Sequence, residues 1–311
     1  MYGNIHTDLA MEARESNSAL NGVSEERTDN EHYSVSRIKI DTDEAASALQ
    51  KSKGLYITIE APDLVLREPE LIKAVTEALS AELTGLIDKG SAKGSASGTV
   101  LVVGLGNRAV TPDALGPKTA EKILVTRHIK QYMPDAIPNG VRSVCAVSPG
   151  VLGVTGIETM EVIQGIVERS KPSLIIAIDS LSSRRTERIA STIQLCDAGI
   201  QPGAGVGNIR SGLDEASLGI PVIAVGVPLV VYASTISRDT IGLIASELGL
   251  LGNEEKIKEL AAKAISEKTG ELIVTPKEID SLIECTSTIL ADGINMCLFG
   301  KDYAEVRSLI A

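Results

Sequence analysis

Two aspartates stand just past very hydrophobic runs of this chain. Asp113 closes Thr99-Val-Leu-Val-Val-Gly-Leu-Gly-Asn-Arg-Ala-Val-Thr-Pro-Asp113, and Asp179 ends Ser173-Leu-Ile-Ile-Ala-Ile-Asp179. In an open α/β sheet, ligands collect outside the carboxyl ends of the strands. Two nearby carboxylates there can hold one proton between them. The ionised one activates water and the protonated one donates to a carbonyl oxygen. That is peptide hydrolysis of the aspartic type, and it needs no metal and no Ser or Cys nucleophile. Asp113 has a competing reading: it follows a Pro and precedes a helical pattern, where an acid caps the helix or favours its dipole. Asp179 is harder to assign to packing, because charged side chains are seldom placed at the tip of an apolar strand. Arg184 and Arg185 follow closely. They can pair with Asp179, bind a substrate carboxylate, or be solvated surface.

Other chemistries find less support. Gly104-Leu-Gly106-Asn107-Arg-Ala109 matches a loose dinucleotide fingerprint after a strand. However, Pro112, Gly116 and Pro117 interrupt the helix that should start there, and the ribose-binding acid about 20 residues on is missing. The plainer reading is a tight turn that lets the loop lie close to the strand ends. Gly199-Ile-Gln-Pro-Gly203-Ala-Gly205-Val-Gly207-Asn-Ile-Arg210 is too glycine-rich for a helix or strand. Its backbone amides can hold a peptide or an oxyanion, or it is simply a long surface loop. There is no G-x-S-x-G, no H-E-x-x-H and no C-x-x-C. Histidine is confined to His6, His32 and His128. A Cys145–His128 dyad competes with a buried structural thiol. No metal and no other cofactor is expected.

The elements that must position these groups follow from pattern and composition. The 311 residues allow one large domain, and aromatics make up only 2%, so the core must be Ile, Leu, Val and Ala. The net charge of −11 argues against a dedicated nucleic-acid surface. Four cysteines without framework spacing fit reduced thiols in a cytosolic protein. No signal peptide and no membrane-length apolar run is apparent.

Residues 9–53 are polar and read as a loosely packed extension. Strands are expected at 55–60, 100–103, 141–147, 174–178 and 221–225, with a shorter β-branched run at 189–195. Helices are expected from Pro69 through Leu83, at 115–133, at 155–170 with a capping box at Thr155 and Glu158, and at about 233–249, 254–268 and 276–298. Gly85–Gly98 reads as a linker, and 198–219 as a long loop. Alternating strands and helices give an α/β fold with a mainly parallel sheet flanked by helices, in one domain over 54–311.

Several segments together resemble the germination protease family of endospore-forming bacteria. They are Val103-Gly-Leu-Gly-Asn-Arg-Ala-Val-Thr-Pro-Asp-Ala-Leu-Gly-Pro117, Ala146-Val-Ser-Pro-Gly-Val-Leu-Gly-Val-Thr-Gly-Ile-Glu-Thr159, Ile178-Asp-Ser-Leu-Ser-Ser-Arg184, Gln201-Pro-Gly-Ala-Gly-Val-Gly-Asn208 and Val274-Thr-Pro-Lys-Glu-Ile-Asp280. The resemblance implies an atypical aspartic endopeptidase of phosphorylase/hydrolase-like fold, related to the hydrogenase maturation proteases, with Asp113 and Asp179 at the family's essential aspartates. It implies small acid-soluble spore proteins as substrates, a place in the cytoplasm of the spore, a homotetramer, and a zymogen that removes its own N-terminal propeptide. The family's junction is an acidic residue, an apolar one, then Ala. Thr7-Asp8-Leu9-Ala10-Met11-Glu12 fits it, so the implied propeptide is 1–8 and the implied scissile bond is Asp8–Leu9.

Gly104, Gly106, Asn107, Arg184, Gly203, Gly205 and Gly207 are expected to shape the cleft. The chain departs from the family's Gly-x-Pro-Thr-Val-Val-Asp-Ala at Leu229 and Tyr232. That departure leaves room for altered activity or an inactive homologue. Two further readings stay open: a metal-dependent maturation protease that uses the same aspartates as ligands, and a nucleotide-binding module.

Overall fold

Three strands are apolar on both faces, and they form the middle of the sheet. In chain order these are β4 (Thr99–Gly104), β6 (Leu174–Ser183) and β8 (Val222–Tyr232). Nearly every residue in them is buried, as expected of parallel strands covered by helices on both sides. The computed structural model describes residues 7–17, 20–89, 98–200, 212–247 and 272–310. Helices expected near 254–268, and Gly203, Gly205 and Gly207, lie outside the described residues.

The α/β class expected from the sequence holds. The sheet itself is mixed. Its parallel half runs β8-β6-β4-β5, with β5 at Ser143–Val147. Its antiparallel wing continues from β8 through β7 (Thr192–Cys196), β3 (Gly54–Glu60), β2 (Ser34–Ile40) and β1 (Val23–Asp29). A short β9 (Ile273–Val274) pairs with the end of β8.

Alternate side chains of the central strands feed two cores. Val100, Val102, Ile176 and Ile178 pack under α3 (Pro69–Lys89) and the long helix Ile279–Phe299. Leu101, Val103, Ile175 and Ala177 pack with Ile163 on the opposite face. The long C-terminal helix has the length and apolar composition of a membrane span, but 67% of its most apolar window is buried in the protein, which marks it as a core helix.

The N-terminal segment differs most from expectation. Residues 9–53 were expected to pack loosely, yet they supply α1 (Ala10–Glu15), β1, β2 and α2 (Asp43–Leu49). Leu9, Ala10, Ile38, Ile40 and Leu49 form a third apolar cluster with Leu181, Cys196 and Ala224. Few apolar residues are needed because β1 is an edge strand, exposed almost throughout and carrying Glu25, Glu26, Arg27 and Asp29. Charges there oppose edge-to-edge pairing.

Three boundaries also shift. The helix expected at 115–133 is two short ones, α4 (Leu115–Ala120) and α5 (Arg127–Tyr132). Between them the Leu124 N–H donates to Asn295 Oδ1 and the Thr126 N–H to the Val144 carbonyl, so tertiary bonds replace helical ones. The helix expected at 155–170 begins properly at Thr159, where Glu161 reaches back to the Glu158 N–H at 3.2 Å. The capping box is therefore shifted by three residues. Helix α3 runs through Gly85 to Lys89, so the small-residue linker starts later than expected.

Candidate active site

Asp179 lies within β6, which runs on to Ser183 rather than ending at 178 as expected, and only 7% of it is exposed. Its Oδ1 accepts the Ser180 N–H at 2.8 Å. Burial raises its pKa well above the usual 3.8, and the Asp113 and Asp8 charges push the same way, while the Ser180 N–H opposes them. A buried carboxyl near a second carboxylate holds its proton to higher pH than a solvated one.

Asp113 ends a one-turn helix, Thr111–Asp113, just before α4. It does not cap α4: no side chain caps that helix. Instead its Oδ2 accepts the Asn107 N–H at 2.7 Å. The glycine turn exists to make that contact. Gly106 sits at φ +110°, and a Cβ there would lie 2.1 Å from the Asp113 carbonyl oxygen. Gly104 lies behind, where a Cβ would meet the Gly116 carbonyl oxygen at 2.2 Å, so it lets α4 rest on the strand end. This close packing, rather than a phosphate, accounts for the Gly-x-Gly spacing. The Leu105 N–H donates to the Ile178 carbonyl, which carries the loop alongside Asp179. Asp113 and Asp179 line one cavity of about 850 Å³, together with Gly106 and Asn107.

A segment of the chain itself runs along the cavity, and its Asp8 forms part of the wall. The Asp8 N–H donates to the Ser182 carbonyl at 3.0 Å. The Ser182 N–H and hydroxyl both donate to Asp8 Oδ2, at 2.7 and 2.9 Å. A bulge in the β6–β8 pairing between Leu181 and Ser182 sets this approach. Gln194, on β7, donates from Nε2 to the Asp8 carbonyl at 3.1 Å and accepts the Ala10 N–H on Oε1 at 2.7 Å. Lys51 donates from Nζ to the Thr7 carbonyl at 3.0 Å. Burial lowers its pKa, against the pull of the Asp8, Cys196 and Glu12 charges.

Farther along, the Glu12 carboxylate is 1% exposed. It accepts the N–H groups of Arg184 and Arg185 at 2.7 and 3.0 Å, the Thr7 hydroxyl, and the Arg188 guanidinium at 3.0 Å. Arg188 also meets Glu15 at 2.6 Å and Glu60 at 3.1 Å. Burial alone would raise the Glu15 pKa, but the Arg188 hydrogen bond and charge outweigh it and hold the carboxyl low.

The sequence-based site residues are thus only partly brought together. Asp113, Asp179, Gly106, Asn107 and Asp8 share the cavity, and Gly104 supports it from behind. Leu9 is fully buried beside it. Arg184 does not line the cavity; its backbone N–H holds Glu12 and its guanidinium reaches Ser16 at 3.3 Å. Leu229 is buried in the main core and Tyr232 at the end of β8, and neither lines the cavity, whereas Val230 between them does. Ser182, Gln194, Lys51, Glu12 and Arg188 were not singled out by the sequence. Their roles depend on contacts between residues 44 or more apart along the chain, and the one local signal was the match of 7–12 to a cleavage junction.

Competing nucleophiles do not fit. Burial raises the Cys145 thiol, and pushes Cys196 up to about 12. Among the described residues, no three His, Cys, Asp or Glu side chains gather as metal ligands.

Comparison with known proteins places the chain. The germination protease family model matches residues 4–267. A germination protease of Clostridium perfringens is 45% identical, with 96% of each chain covered. One from Caldanaerobacter subterraneus is 44% identical over 94% of each chain, and one from Bacillus cereus is 37% identical over 94% of this chain and 93% of its own. Among solved structures, a NiFe hydrogenase maturation protease from Thermococcus kodakarensis matches at 15% identity and a TM-score of 0.31, covering 60% of this chain and 96% of that one. The chain therefore belongs to the germination protease family.

Proposed function

We propose that this protease is an aspartic-type, self-processing endopeptidase that cuts its own Asp8–Leu9 bond and then small acid-soluble spore proteins at similar junctions. The observation that carries this is the hold of Ser182, Gln194 and Lys51 on Thr7, Asp8 and Ala10, which keeps Asp8 in the wall of the cavity that Asp113 and Asp179 also line. A segment held by its backbone, with an acid on two donors and Leu9 in an apolar cluster, has the form of a substrate.

The proposed chemistry needs one water. Asp179, kept protonated by burial and by its acidic neighbours, is the acid. Asp113, with the Asn107 N–H aimed at it, is the base. Asp113 takes a proton from water as the oxygen attacks the Asp8 carbonyl carbon, and Asp179 gives its proton to the carbonyl oxygen. In the second step the C–N bond breaks. Asp113 passes its proton to the Leu9 nitrogen, and Asp179 recovers one from the gem-diol. The products are an Asp8 carboxyl and a Leu9 amine, with both aspartates restored. The zymogen is uncut chain whose own junction borders the site.

Incubation of processed protein with a purified small acid-soluble spore protein tests the substrate assignment. Product masses should place the cuts between an acidic and an apolar residue. Cuts scattered over other sequences, or no cut in that protein, would count against it.

A further inference from the structure

Gln194 is the polar side chain that meets the scissile carbonyl, and nothing in the two-aspartate scheme uses it. Its Nε2 lies 3.1 Å from the Asp8 carbonyl oxygen, and its Oε1 takes the Ala10 N–H at 2.7 Å. The second contact fixes the first. A backbone N–H can only donate, so the amide oxygen must face Ala10 and the amide nitrogen must face the carbonyl. The side chain is 8% exposed, on a strand paired with both β3 and β8, so it is held rigidly and out of bulk water.

We infer that Gln194 is a further catalytic residue, a donor that polarises the scissile carbonyl and stabilises the negative charge that gathers on its oxygen during water attack. This rests on the reading of Asp8–Leu9 as the scissile bond. One protonated aspartate supplies a single donor to that oxygen. The carbonyl oxygen has room for two donors, and as it becomes tetrahedral and gathers charge the bond that Gln194 already provides strengthens. A fixed neutral donor in a dry site needs no reorganisation as charge develops. By bridging the residue before the cut and the second residue after it, the same amide also holds the peptide straight across the bond that breaks. No covalent step passes through Gln194, and the proton balance of the two aspartates is unchanged.

The test uses full-length processed protein and a peptide containing Thr-Asp-Leu-Ala-Met-Glu, with two variants. Gln194→Met keeps the volume and removes the donor. Its kcat should fall roughly 10²–10³-fold, the cost of removing one oxyanion donor, with KM changed only a few-fold. Gln194→Glu keeps an acceptor for the Ala10 N–H and regains a donor only when protonated. Its kcat, relative to the parent protein, should recover as the pH falls through the carboxyl range, a signature that a purely structural role does not produce. A kcat for Gln194→Met within threefold of the parent, a loss confined to KM, or a flat relative pH profile for Gln194→Glu would overturn the assignment. If Gln194→Met does not fold, the pH profile alone decides. Failure of the underlying reading is distinct: the parent protein itself would then not cut between Asp and Leu.

Discussion

Ser182 gives both its N–H and its hydroxyl to one oxygen of Asp8, at 2.7 and 2.9 Å. A residue near the carboxyl end of the strand that carries Asp179 thus reads the side chain of the residue before the proposed cut. This pair of donors is the structural basis of the proposed preference for an acid at that position. A hydrogen bond to a charged group contributes about 1.5–3 kcal/mol. Ser182→Ala should therefore lower kcat/KM about 10- to 100-fold on a peptide with Asp before the cut, and much less on the same peptide with Asn there. Equal losses on both peptides would show that Ser182 only supports the backbone.

Gly106 should tolerate no side chain. Its φ of +110° and the 2.1 Å approach of a Cβ to the Asp113 carbonyl oxygen both forbid one. Gly106→Ala must displace either the turn or Asp113, and a shift of about 1 Å at a catalytic group costs on the order of 100-fold in rate. The expected outcome is a drop of that size in kcat together with a lowered Tm, read by peptide cleavage and thermal melting.

How much of this was legible in the sequence divides along physical lines. The strand that precedes Asp113 and the strand that carries Asp179 announce themselves, because a central parallel strand is apolar on both faces and a carboxylate stands out against it. β1 and β2 were hidden, since an edge strand such as Val23–Asp29 is written almost wholly in polar residues. The break at 121–126 was hidden because partners on other elements, Asn295 and Val144, cause it. Ser182 and Gln194 were illegible for the same reason: Gln194 acquires its role from Asp8 and Ala10, far away along the chain. Asp113 was ambiguous, and its geometry removes the helix-cap reading.

Asp179 should make stability depend on pH in a definite direction. Its folded pKa is raised above the unfolded value by burial first, then by Asp113 and Asp8. Such a group contributes stability below the unfolded value, about 3.9, and loses it as the pH rises through the raised folded value. At pH 7 the ionised form is unfavourable in the fold, and Asp179→Asn removes that cost. The Asn variant should melt about 2–4 °C higher than the parent at pH 7 for each kcal/mol removed, with the difference closing below about pH 4. An equal difference at both pH values would contradict the burial argument.

Arg188 should be strongly coupled to the N-terminal segment. Its side chain is 8% exposed and Glu12 is 1% exposed, so removing either leaves the other charge buried. Arg188→Gln should cost about 3–5 kcal/mol in denaturant unfolding. Part of that loss should disappear when Glu12→Gln is already present, giving a coupling of about 0.5–3 kcal/mol in a double-mutant cycle. Strict additivity would mean that the two groups do not depend on each other in solution.

The most direct measurement is the N-terminus that the purified full chain acquires when incubated under mildly acidic conditions, alongside Asp113→Asn and Asp179→Asn. Substitution by Asn keeps the shape of each side chain and removes its ionisable proton, so it tests chemistry more than packing. The account predicts that the parent chain converts to a form beginning at Leu9, while both variants stay uncut over the same period. A new N-terminus elsewhere, or conversion of either variant at the parental rate, would contradict it.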